Sequence, residues 1–309
     1  MTHVEILILA LALDALFGEP RAIWTRVPHP AVIMGQAIDV LDHRLNFGAA
    51  RIVKGAIAIA ALFLAAMIIG WLIAIFPDFG LLEVAVVAIL LAHKCLIDHV
   101  IAVREALATG LSEARKSVGM IVGRDTKNLD ESGVTRAAIE SAAENFSDGV
   151  VAPAFWALLF GAPGILIYKV VNTADSMIGH RSAQYEKFGK AAARLDDLLN
   201  WIPARISAGL IILAGGARKA WLDVAEDAEY HRSPNAGWPE AAMAYSLDAA
   251  LAGPRSYFGE TTTDPFIHGN GRRELTRADI TAAVRLLWRA WRMMVGTLIV
   301  LALLWRILP

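Results

Sequence analysis

The chain has 309 residues, 56% of them hydrophobic and 19% charged, with a mean hydropathy of +0.49. Soluble domains have roughly 45–50% apolar and about 25% charged residues, so this composition points to a membrane and excludes a disordered or fibrous chain. The net charge of -1 carries no global signature of nucleic-acid binding, and the single cysteine, Cys95, excludes an internal disulfide framework, a Cys-based zinc site and an iron–sulfur cluster.

Residues 4–17 form the first apolar run, which is short and carries Asp14. No Lys or Arg precedes it and no small-x-small cleavage site follows Phe17, so it reads as a retained segment and not a cleaved signal. Residues 55–76 are 22 uncharged residues. As a helix they reach roughly 33 Å, enough to cross a hydrocarbon core of about 30 Å. Residues 84–97 form a third run, interrupted near its end by His93 and Lys94. In the polar stretch that follows, 134–147 place Ala, Ile and Val at helical spacing. Residues 150–171 are long enough to span but hold Gly161-Ala162-Pro163-Gly164 in their middle, which suits a re-entrant hairpin as well as a kinked span. Residues 201–213 are short and contain Pro203 and Arg205. Residues 231–271 read as a long loop with one helix near 239–251. Thr276 and Asp279 resemble a capping box opening a helix towards Arg292, and 293–305 is a strong apolar run with Trp288 and Trp291 towards an interface. No period-2 strand pattern, internal repeat or low-complexity tract is visible.

The expected fold is therefore all-α, a polytopic helical membrane protein with broken or re-entrant segments. It is read as a single domain over 1–309, with polar regions at 98–149, 173–200 and 217–292. Lys and Arg number five in residues 18–54, none in 77–83, six in 98–149, four in 173–200 and ten in 217–292. Keeping all the basic loops on the cytoplasmic side requires 150–171 and 201–213 to dip in and return, leaving a short acidic loop with Asp78 and Glu83 outside.

Three constellations could carry chemistry. Glu140, Glu144 and Asp148 recur at i, i+4 and i+8, with Asn145 beside them, which places the carboxylates on one helical face. An acidic face at a membrane boundary needs a cation, and Mg²⁺ with a phosphate substrate is the usual one. The alternative is a solvated helix in which Arg136 pairs with Glu140. The second constellation is Asn172, Asp175, His180 and Arg181, and the third is Asp196, Asp197, Asn200 and Arg205. Ordinary helix ends and snorkelling arginines would explain both equally simply. Asp14 reads as a paired aspartate near the interface. Gly269-Asn270-Gly271-Arg272-Arg273 could hold an anion but is more often a turn. No Walker A, G-x-G-x-x-G or H-E-x-x-H motif occurs.

These blocks resemble the CbiB/CobD family of cobalamin biosynthesis, the adenosylcobinamide-phosphate synthases. The resemblance covers about residues 5–305. It rests on Leu13-Asp14-Ala15-Leu16-Phe17-Gly18-Glu19-Pro20, His29-Pro30 with Met34-Gly35, and Gly123-Arg124-Asp125-Thr126. The central block is the most specific: Glu140, Glu144 to Gly149, Ala152-Pro153, Asn172 to Met177, Gly179-His180-Arg181, Ala193 to Asp197 and Trp201 to Arg205. Ser233 to Glu240 adds a late piece. Glu19, where Asp is as common, keeps the charge.

The resemblance implies a multi-pass protein of the bacterial inner membrane with its active side cytoplasmic. Its reaction would join an amino-alcohol phosphate, or threonine phosphate, to adenosylcobyric acid, with other late corrinoid enzymes as further candidate partners. Amide formation from a carboxylate is uphill in water, so ATP is expected as co-substrate. Mg²⁺ would be held by Glu144, Asp148 and Asp175, with Asp196 and Asp197 as further candidate ligands. Arg181, Arg194 and Arg205 would grip phosphate or corrin carboxylates, with Asn145 and Asn172 as further binding candidates. Glu140 would take the ammonium proton. The rival readings are a Mg²⁺-dependent membrane transferase like the UbiA-like prenyltransferases, and a transporter or scaffold for corrin enzymes.

Overall fold

The computed structural model describes all residues except Arg181, Phe258, Gly259, Leu308 and Pro309. Its helices are α1 (His3–Phe17), α2 (Arg21–Trp24), α3 (Pro30–Leu45), α4 (Arg51–Ala74), α5 (Leu81–Leu90), α6 (His93–Thr109), α7 (Leu111–Val118) and α8 (Glu131–Phe146). A π-helical turn at Ser147–Val151 leads into α9 (Ala152–Ile178), followed by α10 (Lys190–Gly215), α11 (Trp221–Ala228), α12 (Gly237–Leu247) and α13 (Arg277–Ile307). Among the described residues five helical stretches are long and apolar enough to cross a membrane: Arg51–Ala74, Leu81–Thr109, Glu131–Ile178, Lys190–Gly215 and Arg277–Leu304. The chain is a polytopic helical membrane protein.

Among the described residues four two-residue strands, which no period-2 pattern could announce, lie in the loop before α13. β1 (Leu251–Ala252) pairs antiparallel with β4 (Phe266–Ile267), and β2 (Ser256–Tyr257) with β3 (Glu260–Thr261). The helix expected near 239–251 is α12, ending at Leu247.

The chain forms two compact units. The first comprises Met1–Lys94, Ala152–Asn200 and Leu298–Pro309, and the second Cys95–Val151 and Trp201–Thr297. In the first unit, two buried carboxylates inside apolar segments cap broken helices. Asp14 Oδ2 accepts the His93 N–H at 3.0 Å, where the chain restarts as α6 after Leu91 and Ala92. Glu83 Oε1 accepts the Ala162 N–H at 2.7 Å, directly after Gly161. Gly161 has φ 61° and ψ -144°, a conformation other residues rarely adopt, and it kinks α9 at the Gly-Ala-Pro-Gly sequence. A buried N–H without a partner is costly in hydrocarbon, so each carboxylate satisfies a donor that the break exposes. Gly70 of α4 lies against this break: a Cβ there would stand 2.4 Å from Pro163 Cα, so only glycine allows the approach. Ile38, Ile59, Ala174, Ile178 and Phe188 belong to a core cluster of this unit.

In the second unit α8 packs against α7, α12 and β1. Val134, Ala137, Ala138, Ile139, Ala142 and Ala143 are fully buried, so small residues let neighbours approach α8 closely. At α13, Asp279 Oδ2 accepts the Thr276 N–H at 2.8 Å while Thr276 Oγ1 accepts the Ala278 N–H at 3.3 Å, the reciprocal cap expected from the sequence.

Candidate functional site

The second unit contains a cavity of about 250 Å³ lined by Gly123, Arg124, Glu140, Ser141, Glu144, His231, Glu240 and Arg255. Glu140 and Glu144 reach it from one face of α8, as their i, i+4 spacing requires. Glu240 comes from the first turn of α12, and Arg255 follows β1. Arg124 stands in the turn after α7, and Ser141 Oγ fixes that turn by donating to Ile121 O at 2.6 Å.

The charges form a chain of pairs. Glu140 Oε2 meets Arg124 Nη2 at 2.9 Å and Arg255 Nη2 at 3.2 Å, while its Oε1 accepts the Ala252 N–H at 2.7 Å. Glu240 Oε2 lies 3.1 Å from Arg255 Nη2, and its Oε1 lies 3.4 Å from His231 Nε2. Burial works against charge on His231, but Glu240 outweighs it and raises the imidazole pKa. Burial also works against the Glu240 carboxylate, yet His231 and Arg255 bring its pKa below the ordinary carboxylate value. Glu144 is exposed, and among the described residues it has no hydrogen-bond or ion-pair partner.

Several expectations take a different form here. Arg136 does not pair with Glu140: its guanidinium donates to Ala250 O at 2.9 Å and to Arg273 O, tying α8 to the β1 region. Asp148 falls in the π-helical turn, which inserts extra residues per turn and rotates it off the Glu140–Glu144 row; it is half-buried and does not line the cavity. Asn145 is exposed and donates back to Ser141 O at 2.9 Å. The Arg205 guanidinium lies over the Trp201 and Trp238 rings, at 4.5 and 4.6 Å from their centroids, and donates to Trp201 O. Arg272, in the Gly-Asn-Gly turn, pairs with Asp279 at 2.8 Å. Arg181 lies outside the described residues.

The other aspartates belong to the first unit. Asp196 is buried and accepts from Asn172 Nδ2 at 3.2 Å and Asn200 Nδ2 at 2.9 Å, and Tyr168 Oη–H orients Asn200 from 2.9 Å. Asp175 and Asp197 lie near enough for the three carboxylates to repel one another. Arg194 is exposed. Glu144 and Asp148 thus belong to the second unit, and Asp175, Asp196 and Asp197 to the first. Among the described residues no three His, Cys, Asp or Glu side chains converge as a metal-holding group.

Sequence reasoning had not singled out His231 or Arg255 for any role. Arg124 and Glu240 stood inside recognisable blocks, but without a role. No local spacing links these four, which come from separate loops and helices.

The chain is thus a polytopic helical membrane protein with a charged cavity among its polar segments. The model of the CobD/Cbib protein family matches residues 7–287, and the chain belongs to that family. It is 50% identical over 303 residues to the cobalamin biosynthesis protein CobD of Sinorhizobium fredii, covering 92% of each chain. It is 46% identical to the protein of the same name from Brucella suis, covering 96% of each. For that of Rhodobacter capsulatus the identity is 42%, with 99% of this chain and 100% of the relative covered. No solved structure matches. The family role is cobalamin biosynthesis.

Proposed function

We propose that this chain forms an amide between adenosylcobyric acid and an amino-alcohol phosphate, or threonine phosphate, in an ATP-dependent ligase reaction giving adenosylcobinamide phosphate or its carboxylated form. The observation that carries this reading is the cavity: in a chain of a cobalamin family, it joins two guanidiniums to one uncommitted carboxylate. At about 250 Å³ it lies below the roughly 300–1,000 Å³ of pockets for drug-sized ligands, so it suits the small amine phosphate. A corrin ring is too large for it and would present a peripheral carboxyl at the mouth. Arg124 and Arg255 favour an anionic group nearby.

Mg²⁺ is usually bound by one or two carboxylates together with nucleotide phosphates, and needs no cage built wholly of protein. In the cavity Glu140 and Glu240 are engaged by arginines, which fits Mg²⁺ poorly. Asp196, with Asp175 and Asp197 nearby, offers more carboxylate oxygen, so on this reading Asp196 would contribute to holding Mg²⁺ while nucleotide phosphates supply most of its remaining ligands. Mg²⁺ bound with ATP supplies neutralisation of phosphate charge. On this reading the protein sits in the bacterial inner membrane with its site towards the cytoplasm, in reach of soluble corrinoid enzymes. Family membership favours this chemistry over a prenyl transferase, a transporter or a scaffold. The test is a mass-spectrometric product assay on purified protein, with and without ATP and Mg²⁺. A mass corresponding to the amide, formed only with both, is expected; none under any condition overturns the proposal.

A further inference from the structure

If the chain makes an amide from an amine phosphate, as proposed above, some residue must receive the nitrogen. The cavity distinguishes its three carboxylates sharply. Glu140 is held by Arg124, Arg255 and the Ala252 N–H, and Glu240 by Arg255 and His231. Glu144, one turn beyond Glu140 on α8, lines the same cavity, is exposed, and has no hydrogen-bond or ion-pair partner among the described residues. A second polar group in the wall is also incomplete: Arg124, with a side chain only 9% exposed, has a buried Nε without a hydrogen-bond partner. Buried donors without partners are rare, and one in a cavity wall marks a place where a polar ligand or water belongs.

The missing partner of Glu144 is a cation, and its neighbours select which kind. Mg²⁺ demands near-octahedral oxygen ligation. Among the described residues Glu144 is the single uncommitted carboxylate lining the cavity, and the guanidiniums and His231 beside it offer N–H donors and no oxygen ligands. An organic ammonium carries one charge and three N–H donors, so one carboxylate suffices to anchor it.

We propose that Glu144 binds the ammonium of the amine phosphate and is the base that deprotonates it. Glu140, which α8 places one turn away, is a positioning residue that holds Arg124 and Arg255. The ammonium gives one proton to Glu144. The freed nitrogen lone pair forms the C–N bond to the carbonyl carbon of an acyl phosphate, made beforehand from the corrinoid carboxylate and the nucleoside triphosphate. The C–O bond to phosphate breaks, and the leaving phosphate takes that electron pair and the second nitrogen proton. Glu144 returns its proton to water at the open side of the cavity.

The experiment compares binding of 1-amino-2-propanol phosphate with that of n-propyl phosphate, which lacks the amine, by calorimetry on the full chain in detergent. Wild type should bind the amine phosphate at least about tenfold more tightly. Glu144→Gln should abolish that preference, change n-propyl phosphate affinity less than about twofold, and lower kcat more than it raises KM for ATP. Glu144→Asp, which keeps the charge, should restore part of the preference. Equal wild-type affinity for the two ligands overturns the assignment without requiring any variant to fold. Preserved preference in Glu144→Gln overturns it too. Absence of amide product from wild type, by contrast, overturns the ligase reading itself.

Discussion

Glu140 in the second unit and Asp196 in the first are both buried carboxylates, yet they are held in opposite ways. Glu140 is neutralised by Arg124 and Arg255, full charges at 2.9 and 3.2 Å. Asp196 is met by the amides of Asn172 and Asn200, with Asp175 and Asp197 adding negative charge nearby. Hydrogen bonds from ionised donors are roughly twice as strong as those between neutral groups. The second unit therefore carries its counter-charges permanently and presents a fixed electrostatic shape to a ligand. The first unit instead sets Asp196 among neutral amide donors and neighbouring carboxylates. One polar cluster balances its buried carboxylates with protein cations, and the other meets them with neutral amides.

Breaking the Glu140–Arg255–Glu240 cluster should have the largest effect. Arg255→Met leaves both Glu140 and Glu240 short of a counter-charge in a buried site. Removing one partner of such a pair costs about 3–5 kcal/mol. Thermal unfolding in detergent should show a large fall in Tm, and an unfolding midpoint close to wild type would refute the pairing.

Asp196→Asn should cost less, about 1–3 kcal/mol, because it sets an amide donor against the Asn172 and Asn200 donors. If the first unit draws in Mg²⁺, this variant should also need more Mg²⁺ for half-maximal turnover. An unchanged Mg²⁺ requirement would move the ion elsewhere.

Glu144→Gln sharpens the comparison inside the cavity. Turnover should fall at least about tenfold, or about 1.4 kcal/mol on the barrier. Stability should stay within about 0.5 kcal/mol, since no protein contact is removed. Lost stability comparable to that of Arg255→Met would make Glu144 a structural residue.

The smallest effect is the pH dependence of the His231–Glu240 pair. The raised pKa of His231 makes its contribution fully present below its unfolded value near 6.5 and lost as pH rises through the folded value. The lowered pKa of Glu240 makes its contribution fully present above about 4.5 and lost as pH falls through the folded value. Both contributions are complete between about pH 4.5 and 6.5, and His231→Gln should flatten the decline on the alkaline side. A profile identical to wild type there would remove the pair from the stability of the site.

Much of the architecture was legible in the sequence because the signals are local. An uncharged run such as 55–76 has no stable environment other than a membrane or core, and α4 covers it as far as Ala74. The kink at Gly161 followed from Gly-Ala-Pro-Gly, and the cap at Thr276 and Asp279 from residues three apart. Likewise, Glu140 and Glu144 share a cavity because helical spacing compels it. What lies opposite them was not legible. Arg136 satisfies the spacing for a pair with Glu140 but is drawn to Ala250 O and Arg273 O. Arg205, a candidate phosphate ligand by its position, has the Trp201 and Trp238 rings at 4.5 and 4.6 Å from its guanidinium, and no local spacing announces the Trp238 contact. Asp148 kept its place in the sequence but lost its register to a π-helical turn. Secondary structure and membrane insertion depend on residues within a turn or two and on summed hydrophobicity, both of which the sequence determines alone. The pairing of Glu140 with Arg124 and Arg255 depends on which distant loops the chain brings together, and only the tertiary structure decided that.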